Sequence, residues 1–278
     1  MQVSQAVLVT GCSSGIGRAT AIALARAGLP TWASARRLET IADLRDAGCR
    51  VIELDVTDES SRARAVQAVE AEHGAVGALV NNAGYAQVGA IEDIPEQSLR
   101  RQFETNLFGP TRLCQMVLPG MRAQRCGTIV NLGSAAGLVT PPASGAYAMT
   151  KYALEALSDA LRYEVAPFGV RIVLLEPGAV RTGFTSALAA NAPDLDATMP
   201  GPYHTLTKNA LALAEREGAG DRGLDPEQLA HIVVRAIAAR RPRSRYRIGT
   251  QARVAPTVRR LLGDRAWDAV LRRVCPAE

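Results

Sequence analysis

The chain has 278 residues, of which 47% are apolar and 21% are charged. This length and composition allow a substantial core, in one large α/β domain or, less favourably, in two small domains. The formal net charge of +5 is modest for this length, and most arginines alternate with acidic residues, which argues against nucleic acid as a partner.

Cysteine spacing and apolar segments limit the class of protein further. The five cysteines show no C-x-x-C spacing, so we expect reduced thiols and no metal site. The sequence reaches AVLVTG early, which leaves no room for a signal peptide, and it has no uninterrupted apolar stretch long enough for a membrane span. We therefore expect a cytoplasmic protein with no integral membrane association.

Short apolar runs alternate with helical patterns along the chain, which predicts a parallel sheet. Strands are predicted at residues 6–10, 31–35, 51–54, 78–81, 128–132, 170–175 and 245–248. Helices are predicted at residues 16–27, 59–72, 97–122, 145–166 and 226–240, with a polar helix between the second and third strands. We predict an α/β fold with one doubly wound Rossmann domain over residues 1–278, seven parallel strands and right-handed crossovers.

Two segments depart from this alternation. Prolines and glycines frame two short apolar helical pieces between residues 183 and 224, and an insertion of this length is typical of a substrate lid. The C-terminal extension, about residues 250–278, contains the basic amphipathic pattern VAPTVRRLLGDRAWDAVLRRV. We expect this extension to dock on the domain's own surface in preference to a membrane.

A glycine-rich segment, TGCSSGIG, follows the first predicted strand and opens the first helix. Its glycines at 11, 15 and 17 permit a tight turn and a close approach of backbone to a pyrophosphate, while the helix N-H groups attract the anion. The spacing differs from the usual G-x-G-x-x-G, and glycine-rich turns also occur without ligands. The strand-turn-helix context favours a dinucleotide site.

The end of the second strand discriminates between dinucleotides. An acidic residue there would accept hydrogen bonds from the adenosine ribose of NAD, whereas this chain has Ala35, Arg36 and Arg37. Arg36 fits a 2'-phosphate through its forked guanidinium, with an ordinary solvated arginine pair as the alternative. Asp55 in LDVTD is placed to reach the adenine, or it caps a local turn.

The stretch SGAYAMTKYALEAL places Tyr147 and Lys151 four residues apart, side by side on one helix face. A neighbouring cation favours the phenolate and lowers the pKa of a phenol from about 10, which makes the pair a plausible acid/base. The spacing also arises by chance. The prediction therefore requires a cofactor site and a third polar partner, for which Ser134 is the candidate.

With these motifs in order, the chain resembles the short-chain dehydrogenase/reductase family along most of its length. TGCSSGIG is similar to the phosphate loop of that family, and NNAG at residues 81–84 is similar to its fourth-strand signature. Asn106 in ETNLFG, Ser134 in NLGSAAG, Tyr147 and Lys151 match its active-site residues. PGAVRT at residues 177–182 resembles its nicotinamide-side motif.

The resemblance implies a role for each matched residue. Tyr147 exchanges a proton with the substrate oxygen, Lys151 lowers the pKa of Tyr147 and binds the nicotinamide ribose, Ser134 polarises the carbonyl, and Asn106 anchors a water. The implied cofactor-binding residues are Gly11, Ser13, Ser14, Gly15, Ile16, Gly17, Arg36, Arg37, Asp55, Val56, Asn82, Ala83, Gly84, Tyr147, Lys151, Pro177, Gly178, Val180 and Thr182.

Within the family, ASARRLE and PRSRYRIG look most like the branch of 17β-hydroxysteroid and retinol dehydrogenases, which acts on apolar alcohols and ketones. Apolar residues of the lid and of the segment after the serine would line the substrate pocket, or would merely close the core. The candidate lining residues are Ser134, Leu138, Val139, Phe184, Leu188, Met199 and Tyr203.

The resulting hypothesis is an NADP(H)-dependent oxidoreductase that interconverts a ketone or aldehyde and an alcohol by hydride transfer on an apolar steroid-, retinoid-, lipid- or polyketide-like substrate. The resemblance favours a homodimer or homotetramer. One alternative is an NADP(H)-binding sensor without turnover, although the set of Ser134, Tyr147 and Lys151 argues against it. A sugar-nucleotide epimerase or dehydratase is disfavoured by the short C-terminal region.

Overall fold

Seven parallel strands form the centre of the part of the chain described by the computed structural model, residues 3–182, 188, 201–218 and 223–277. The strands are β1 Val7–Val9, β2 Thr31–Ala35, β3 Arg50–Glu53, β4 Ala78–Asn81, β5 Gly127–Leu132, β6 Val170–Pro177 and β7 Arg245–Ile248. Their order in the sheet is β3-β2-β1-β4-β5-β6-β7, and every pairing between neighbours is parallel. The predicted seven-stranded doubly wound fold is confirmed.

Eight α-helices lie in the described residues. They are α1 Gly15–Arg26, α2 Glu59–His73, α3 Glu96–Phe103, α4 Gly109–Ala123, α5 Gly145–Val165, α6 His204–Gly218, α7 Pro226–Ala238 and α8 Thr250–Val274. The polar helix expected after β2 is a 3-10 helix, Leu38–Arg45. Among these described helices, none is both long enough and apolar enough to cross a membrane.

The single helix predicted over residues 97–122 is interrupted in the structure. A π-helical segment, Glu104–Phe108, separates α3 from α4. Gly109 follows this segment and packs against the loop after β3. A Cβ at Gly109 would lie only 2.5 Å from the Val56 carbonyl oxygen. Residues 104–108 contain neither glycine nor proline, so no helix-breaking residue in the sequence marks the π segment.

Two apolar layers sandwich the sheet because alternate residues of each strand point to opposite faces. On one face, Val9 and Val130 pack against α1 and α7 in a layer that includes Leu24 and Val233. On the other face, Leu8 and Ile129 belong to the layer formed with α2, α4 and α5. Burial on both faces explains why the strands read as continuous apolar runs.

The strand order reverses direction at β1, which has β2 on one side and β4 on the other. The loops that follow β1 and β4 therefore diverge to opposite faces and leave a crevice at the carboxyl edge of the sheet. The loops after β5 and β6 end at the same edge. This topology brings four separate sequence motifs to one place.

A buried polar network sets the position of α5 on the sheet. Asn81 and Asn131 are register partners on β4 and β5, and the Asn81 Nδ2 donates to the Asn131 Oδ1 at 2.9 Å. The Asn131 Nδ2 donates to the Ser158 Oγ on α5, also at 2.9 Å. All three side chains are almost completely buried. The network therefore ties two central strands to the helix that carries Tyr147.

Replacing Asn131 with alanine should lower the free energy of unfolding by about 1–3 kcal/mol, because the buried Asn81 and Ser158 side chains each lose one hydrogen bond. Urea denaturation measures this. Thr128→Val is a matched control on the same strand, since the buried Thr128 hydroxyl has no hydrogen-bond partner among the described residues and its loss should cost little. Equal decreases in the free energy of unfolding for the two variants would show that the hydrogen-bond network makes no specific contribution to stability.

Candidate active site

The glycine loop after β1 approaches the loop after β4 too closely for any side chain. Gly11 and Gly15 adopt φ angles of +73° and +56°, which favour glycine. A Cβ at Gly11 would lie 2.8 Å from the Ala83 Cα, and one at Gly17 would lie 2.3 Å from the Asn82 Nδ2. The Ser14 side chain makes no capping hydrogen bond, so N-H groups in the first turn of α1 remain available to an anion.

Polar contacts hold the two loops together. The Asn82 Nδ2 donates to the carbonyl oxygens of Thr10 and Gly11, at 2.8 Å and 3.0 Å. The Thr10 Oγ1 accepts from the backbone N-H groups of Asn82 and Ala83 at 3.0 Å each. The NNAG motif thus fixes the shape of the glycine loop.

These loops border a cleft of about 960 Å³, at the upper end of the range for small-molecule sites. Most residues predicted to bind the cofactor line it. They are Gly11, Ser13, Ser14, Gly15, Ile16, Arg36, Asp55, Val56, Asn82, Ala83, Gly84, Tyr147, Lys151, Pro177, Gly178, Val180 and Thr182. Narrow glycine turns, a free helix N-terminus and a long cleft fit an extended dinucleotide. Gly17 lies behind the lining.

The two arginines after β2 point in different directions. Arg36 lines the cleft beside Ala35, and among the described residues no carboxylate lies within 4 Å of its side chain. The Arg37 side chain is 75% exposed, and its Nε lies 3.8 Å from a Glu39 carboxylate oxygen. The structure therefore does not bring Arg37 into the cleft. An extended strand end sends consecutive side chains to opposite sides.

Asp55 makes the local turn that was one of its two predicted roles, and its contact with adenine stays a prediction. Its Oδ1 accepts from the Thr57 N-H at 2.8 Å and from the Thr57 hydroxyl at 2.7 Å, which is the local turn geometry of an aspartate. The residue also lines the cleft beside Val56. The carboxylate is held in place by the turn that precedes α2.

Ser134, Tyr147 and Lys151 meet at the far end of the cleft, near the end of β5. The Lys151 Nζ donates to the Leu132 carbonyl oxygen at 2.6 Å and lies 5.6 Å from the centroid of the Tyr147 ring. Tyr147 is hydrogen-bonded to Ser134. The Ser134 Oγ accepts from the Ala136 N-H at 3.1 Å, which fixes its direction. The predicted serine, tyrosine and lysine therefore share one site.

Burial, and not the lysine charge, dominates the titration of this pair. Burial raises the pKa of Tyr147 to about 12, opposed by the hydrogen bond with Ser134. Burial also lowers the pKa of Lys151 to about 8. The net shift of the Tyr147 pKa is therefore upward, because burial disfavours the charged phenolate. The lowering of this pKa by Lys151 stays a prediction. Both groups hold a proton at neutral pH.

Asn106 lies in the π segment, beneath the cleft and not on its surface. Its Oδ1 accepts from the Tyr85 N-H at 3.1 Å, and its Nδ2 donates to the Tyr85 carbonyl at 2.8 Å and to the Thr150 Oγ1 at 3.2 Å. The Thr150 hydroxyl donates to the Tyr147 carbonyl at 2.8 Å. The side chain thus joins the loop after β4 to α5, and its role as a water anchor stays a prediction.

Apolar residues flank the tyrosine on the substrate side. Leu188 lines the cleft and packs with Ala86, Val88 and Tyr147, and the α6 residues Leu211 and Ala214 complete this cluster. Helix α6 is the second of the two helical pieces predicted in the lid. Of the lid residues before α6 that were predicted to line the pocket, Phe184 and Met199 lie outside the described residues.

Three predicted lining residues lie outside the cleft. Val139 is buried behind the serine loop, and Leu138 beside it is partly buried. The Tyr203 hydroxyl lies 2.6 Å from the Glu92 Oε2, to which it donates at the protein surface. The first two follow a 3-10 turn, Ala135–Gly137, that directs the chain away from the cleft.

Among the polar residues of the cleft that sequence reasoning missed are Glu217 at the end of α6 and Gln251 at the start of α8. The Gln251 Oε1 accepts from the Ala179 N-H at 3.0 Å, and Gln251 also hydrogen-bonds Glu217, whose pKa is raised by burial. This contact connects the lid helix to the loop after β6. No local motif marks either residue, because their pairing depends on the tertiary fold.

Comparison with known proteins agrees with this geometry. The family model for short chain dehydrogenases matches residues 5–193. The chain belongs to the short-chain dehydrogenase family. It is therefore an oxidoreductase of a family that binds nicotinamide cofactors, as the motifs predicted. Among the described residues, no group of three or more His, Cys, Asp or Glu is arranged to hold a metal ion.

Characterised relatives cover nearly the whole chain. The 3-ketodihydrosphingosine reductase of Bacteroides thetaiotaomicron is 34% identical over 251 residues, 90% of each protein. The NADPH-dependent 3-dehydrocapnine reductase of Ornithobacterium rhinotracheale is 32% identical over 272 residues, 95% of this chain and 94% of the relative. Human retinol dehydrogenase 8 (Homo sapiens) is 32% identical over 254 residues, 85% of this chain and 78% of the relative, which agrees with the predicted branch.

Solved structures show the same architecture. A short-chain dehydrogenase from Streptomyces avermitilis superposes with a TM-score of 0.79 at 35% identity, over 98% of each chain. A serine dehydrogenase solved in a complex with NADP+ superposes with a TM-score of 0.75 at 26% identity, over 86% of this chain and 92% of that chain. The likeness extends across the full sheet and its helices.

The buried ammonium of Lys151 makes stability depend on pH. Below about pH 8 both the folded and unfolded states hold the proton, whereas between about 8 and 10.5 only the unfolded state holds it. The stability should therefore rise by about 3 kcal/mol across that window relative to a Lys151→Met variant, which lacks the titration. Urea unfolding at several pH values measures the difference.

Lys208→Met is the matched control, because Lys208 lies exposed on α6 and its replacement should leave the pH dependence unchanged. A Lys151→Met protein whose stability follows the wild-type curve at every pH would contradict the depressed pKa.

Proposed function

We propose that the protein is an NADP(H)-dependent oxidoreductase that interconverts an apolar ketone or aldehyde and the corresponding alcohol. The observation that carries this proposal is the meeting of Ser134, Tyr147 and Lys151 at the end of a cleft that begins at the glycine loop. A sensor without turnover has no need of a proton donor at that position. Cytoplasmic location and a homodimer or homotetramer belong to the same proposal.

The chemistry divides between the cofactor and the protein. The nicotinamide, when bound, exchanges a hydride with the carbonyl carbon, and the loop containing Val180 and Thr182 would hold it. Ser134 hydrogen-bonds the substrate oxygen and orients it toward Tyr147, which donates the proton in the reductive direction. The Lys151 ammonium stabilises the phenolate that forms, because the two groups lie together in a site shielded from water.

Arg36 supports the choice of NADP(H) over NAD(H). Its guanidinium lines the cleft beside Ala35, where an acidic side chain would select the free ribose hydroxyls of NAD. Arginine recognises a phosphate through paired, charge-assisted hydrogen bonds. The NADPH-dependent 3-dehydrocapnine reductase and the NADP+ complex of serine dehydrogenase give this assignment further support.

The apolar cluster beside Tyr147 supports an apolar substrate. Leu188 and Ala86 line the cleft, and together with the buried Val88 they form the apolar cluster against which Tyr147 packs. Relatives named as reductases of 3-ketodihydrosphingosine and 3-dehydrocapnine, and as a retinol dehydrogenase, are consistent with a carbonyl or alcohol group on a long or bulky apolar body. We therefore favour lipid-like substrates within this class.

Replacing Tyr147 with phenylalanine should reduce turnover by about 10²–10⁴-fold, because the variant has no proton to donate. NADPH affinity should stay within about twofold. A panel of long-chain and cyclic ketones, followed by NADPH absorbance, measures the first quantity, and fluorescence titration measures the second. Tyr152→Phe, on the exposed face of the same helix, is the matched control and should retain full activity. If the Tyr147→Phe variant turned over substrate at the wild-type rate, the proposed mechanism would be contradicted.

Replacing Arg36 with alanine should weaken NADPH binding by about 10–100-fold and leave NADH binding unchanged, because only NADPH carries the 2'-phosphate. Calorimetric titration with both cofactors at fixed salt gives the two ratios. The neighbouring Arg37→Ala variant removes the same charge outside the cleft and should change neither affinity by more than about twofold. Tighter binding of NADH than NADPH to the wild-type protein would overturn the cofactor assignment.

A further inference from the structure

Helix α8 carries most of the net charge of the protein. The segment Thr250–Val274 contains six arginines and two aspartates, a net charge of +4, whereas the whole chain has +5. The rest of the molecule is therefore nearly neutral. These arginines are Arg253, Arg259, Arg260, Arg265, Arg272 and Arg273.

The same helix exposes large apolar side chains. Leu261 is 79% exposed, the highest value among the large aliphatic side chains of the described residues. Val254, Leu262, Val270 and Val274 on this helix are also exposed. Exposed apolar clusters of this kind mark contact sites for a partner or a membrane.

Exposed basic and apolar side chains lie next to each other along α8. Before Gly263, Val254 and Leu261 are seven residues apart, about two turns, and so lie on one side of the helix, with the exposed Arg260 next to Leu261. Gly263 has non-helical φ and ψ angles and divides the helix. After it, Val270 and Val274 are four residues apart and share a side that Arg273 borders. These exposed side chains are called the outer face of α8.

The helix is attached to the domain at both ends. Near its start, the Arg253 Nε donates to the Arg247 carbonyl of β7 at 3.1 Å, and Ala252 is fully buried. Just beyond its end, the Asn209 Nδ2 on α6 donates to the Pro276 carbonyl at 2.9 Å. Between the ends, the Arg259 Nη1 donates to the Tyr152 hydroxyl of α5 at 3.1 Å. The helix therefore contacts the domain as expected, whereas the leucine and valine side chains of its outer face stay exposed.

We propose that the outer face of α8 binds an anionic lipid surface. Leucine and valine enter the interface between headgroups and acyl chains while the neighbouring arginines contact the phosphates, so one occupant accounts for both kinds of exposed side chain. A second copy of the chain would bring together two helices that each carry a net charge of +4, which is unfavourable. Nucleic acid would contact the arginines but would give no role to the exposed leucine and valine side chains.

Docking in this orientation has a consequence for substrate access. The end of α8 rests on α6, and the opposite face of α6 lines the cleft through Ala214. A lipid-like substrate could then pass between the bilayer and the cleft beside the lid helix. This consequence rests on the proposed function, whereas the membrane docking itself does not.

Sedimentation with lipid vesicles tests the docking directly. The full-length protein should bind phosphatidylcholine vesicles that contain about a third phosphatidylglycerol, and should bind pure phosphatidylcholine at least tenfold more weakly. The double variant Arg260→Gln, Arg273→Gln should lose about thirtyfold in partitioning, which is about 2 kcal/mol at about 1 kcal/mol per arginine. Leu261→Ser should lose about threefold or more without any change in charge.

Matched controls separate this surface from general electrostatics. The double variant Arg64→Gln, Arg241→Gln makes the same change in net charge at exposed positions outside α8 and should retain most of the binding. Equal losses for both double variants, or equal binding to neutral and anionic vesicles, would overturn the proposal. It would also be overturned if Leu261→Ser changed the oligomeric state in light scattering and left vesicle binding intact, since a second copy would then be the occupant.

None of these variants touches the cleft, so turnover of a water-soluble ketone should be unchanged in all of them. If the protein binds vesicles as described but turns over no ketone, the proposed docking surface stands and only the proposed function is contradicted.

Discussion

The hydrogen bond from the buried Lys151 ammonium to the Leu132 carbonyl is the contact on which the site depends. A buried cation is costly unless an acceptor meets it, and here the acceptor is the last residue of β5. The position of α5 along the strands is therefore fixed. The network of Asn81, Asn131 and Ser158 fixes this position within the core. The hydrogen bond of Asn106 with Thr150 fixes it next to the cleft. Buried polar groups thus determine where Lys151 lies.

The two ends of the cleft carry different kinds of polar group. At the glycine loop the accessible polar groups are backbone N-H groups, which glycine and the free first turn of α1 expose. At the other end the polar groups are the side chains of Ser134, Tyr147 and Lys151, of which Lys151 is buried. In the proposed reaction an anion would be bound where the backbone is accessible, and a proton would move where solvent is excluded. Asn82, which joins the glycine loop to β4, keeps these two ends on one rigid frame.

The features that were predictable from sequence are those with a local cause. Strands buried on both faces, the glycine turn and the pairing of Tyr147 with Lys151 each depend on a few consecutive residues. The rest depends on burial and on distant contacts. No glycine or proline marks the π segment, and Glu217 meets Gln251 only after α6 and α8 have packed. The direction of the Tyr147 pKa shift required the desolvation of the folded site, which spacing along a helix does not report.

That pKa shift bears on how the proposed reaction is driven. In the protein alone, Tyr147 with a pKa of about 12 and Lys151 with a pKa of about 8 are both protonated at neutral pH, so the resting site holds one positive charge and a neutral phenol. Proton donation to a substrate oxygen converts this arrangement into a phenolate beside an ammonium. Opposite charges attract more strongly in a dry site than in water, so the interaction is stronger after the proton has moved than before. The burial that raises the pKa of Tyr147 therefore also strengthens the attraction between the Lys151 ammonium and the phenolate that forms during the transfer.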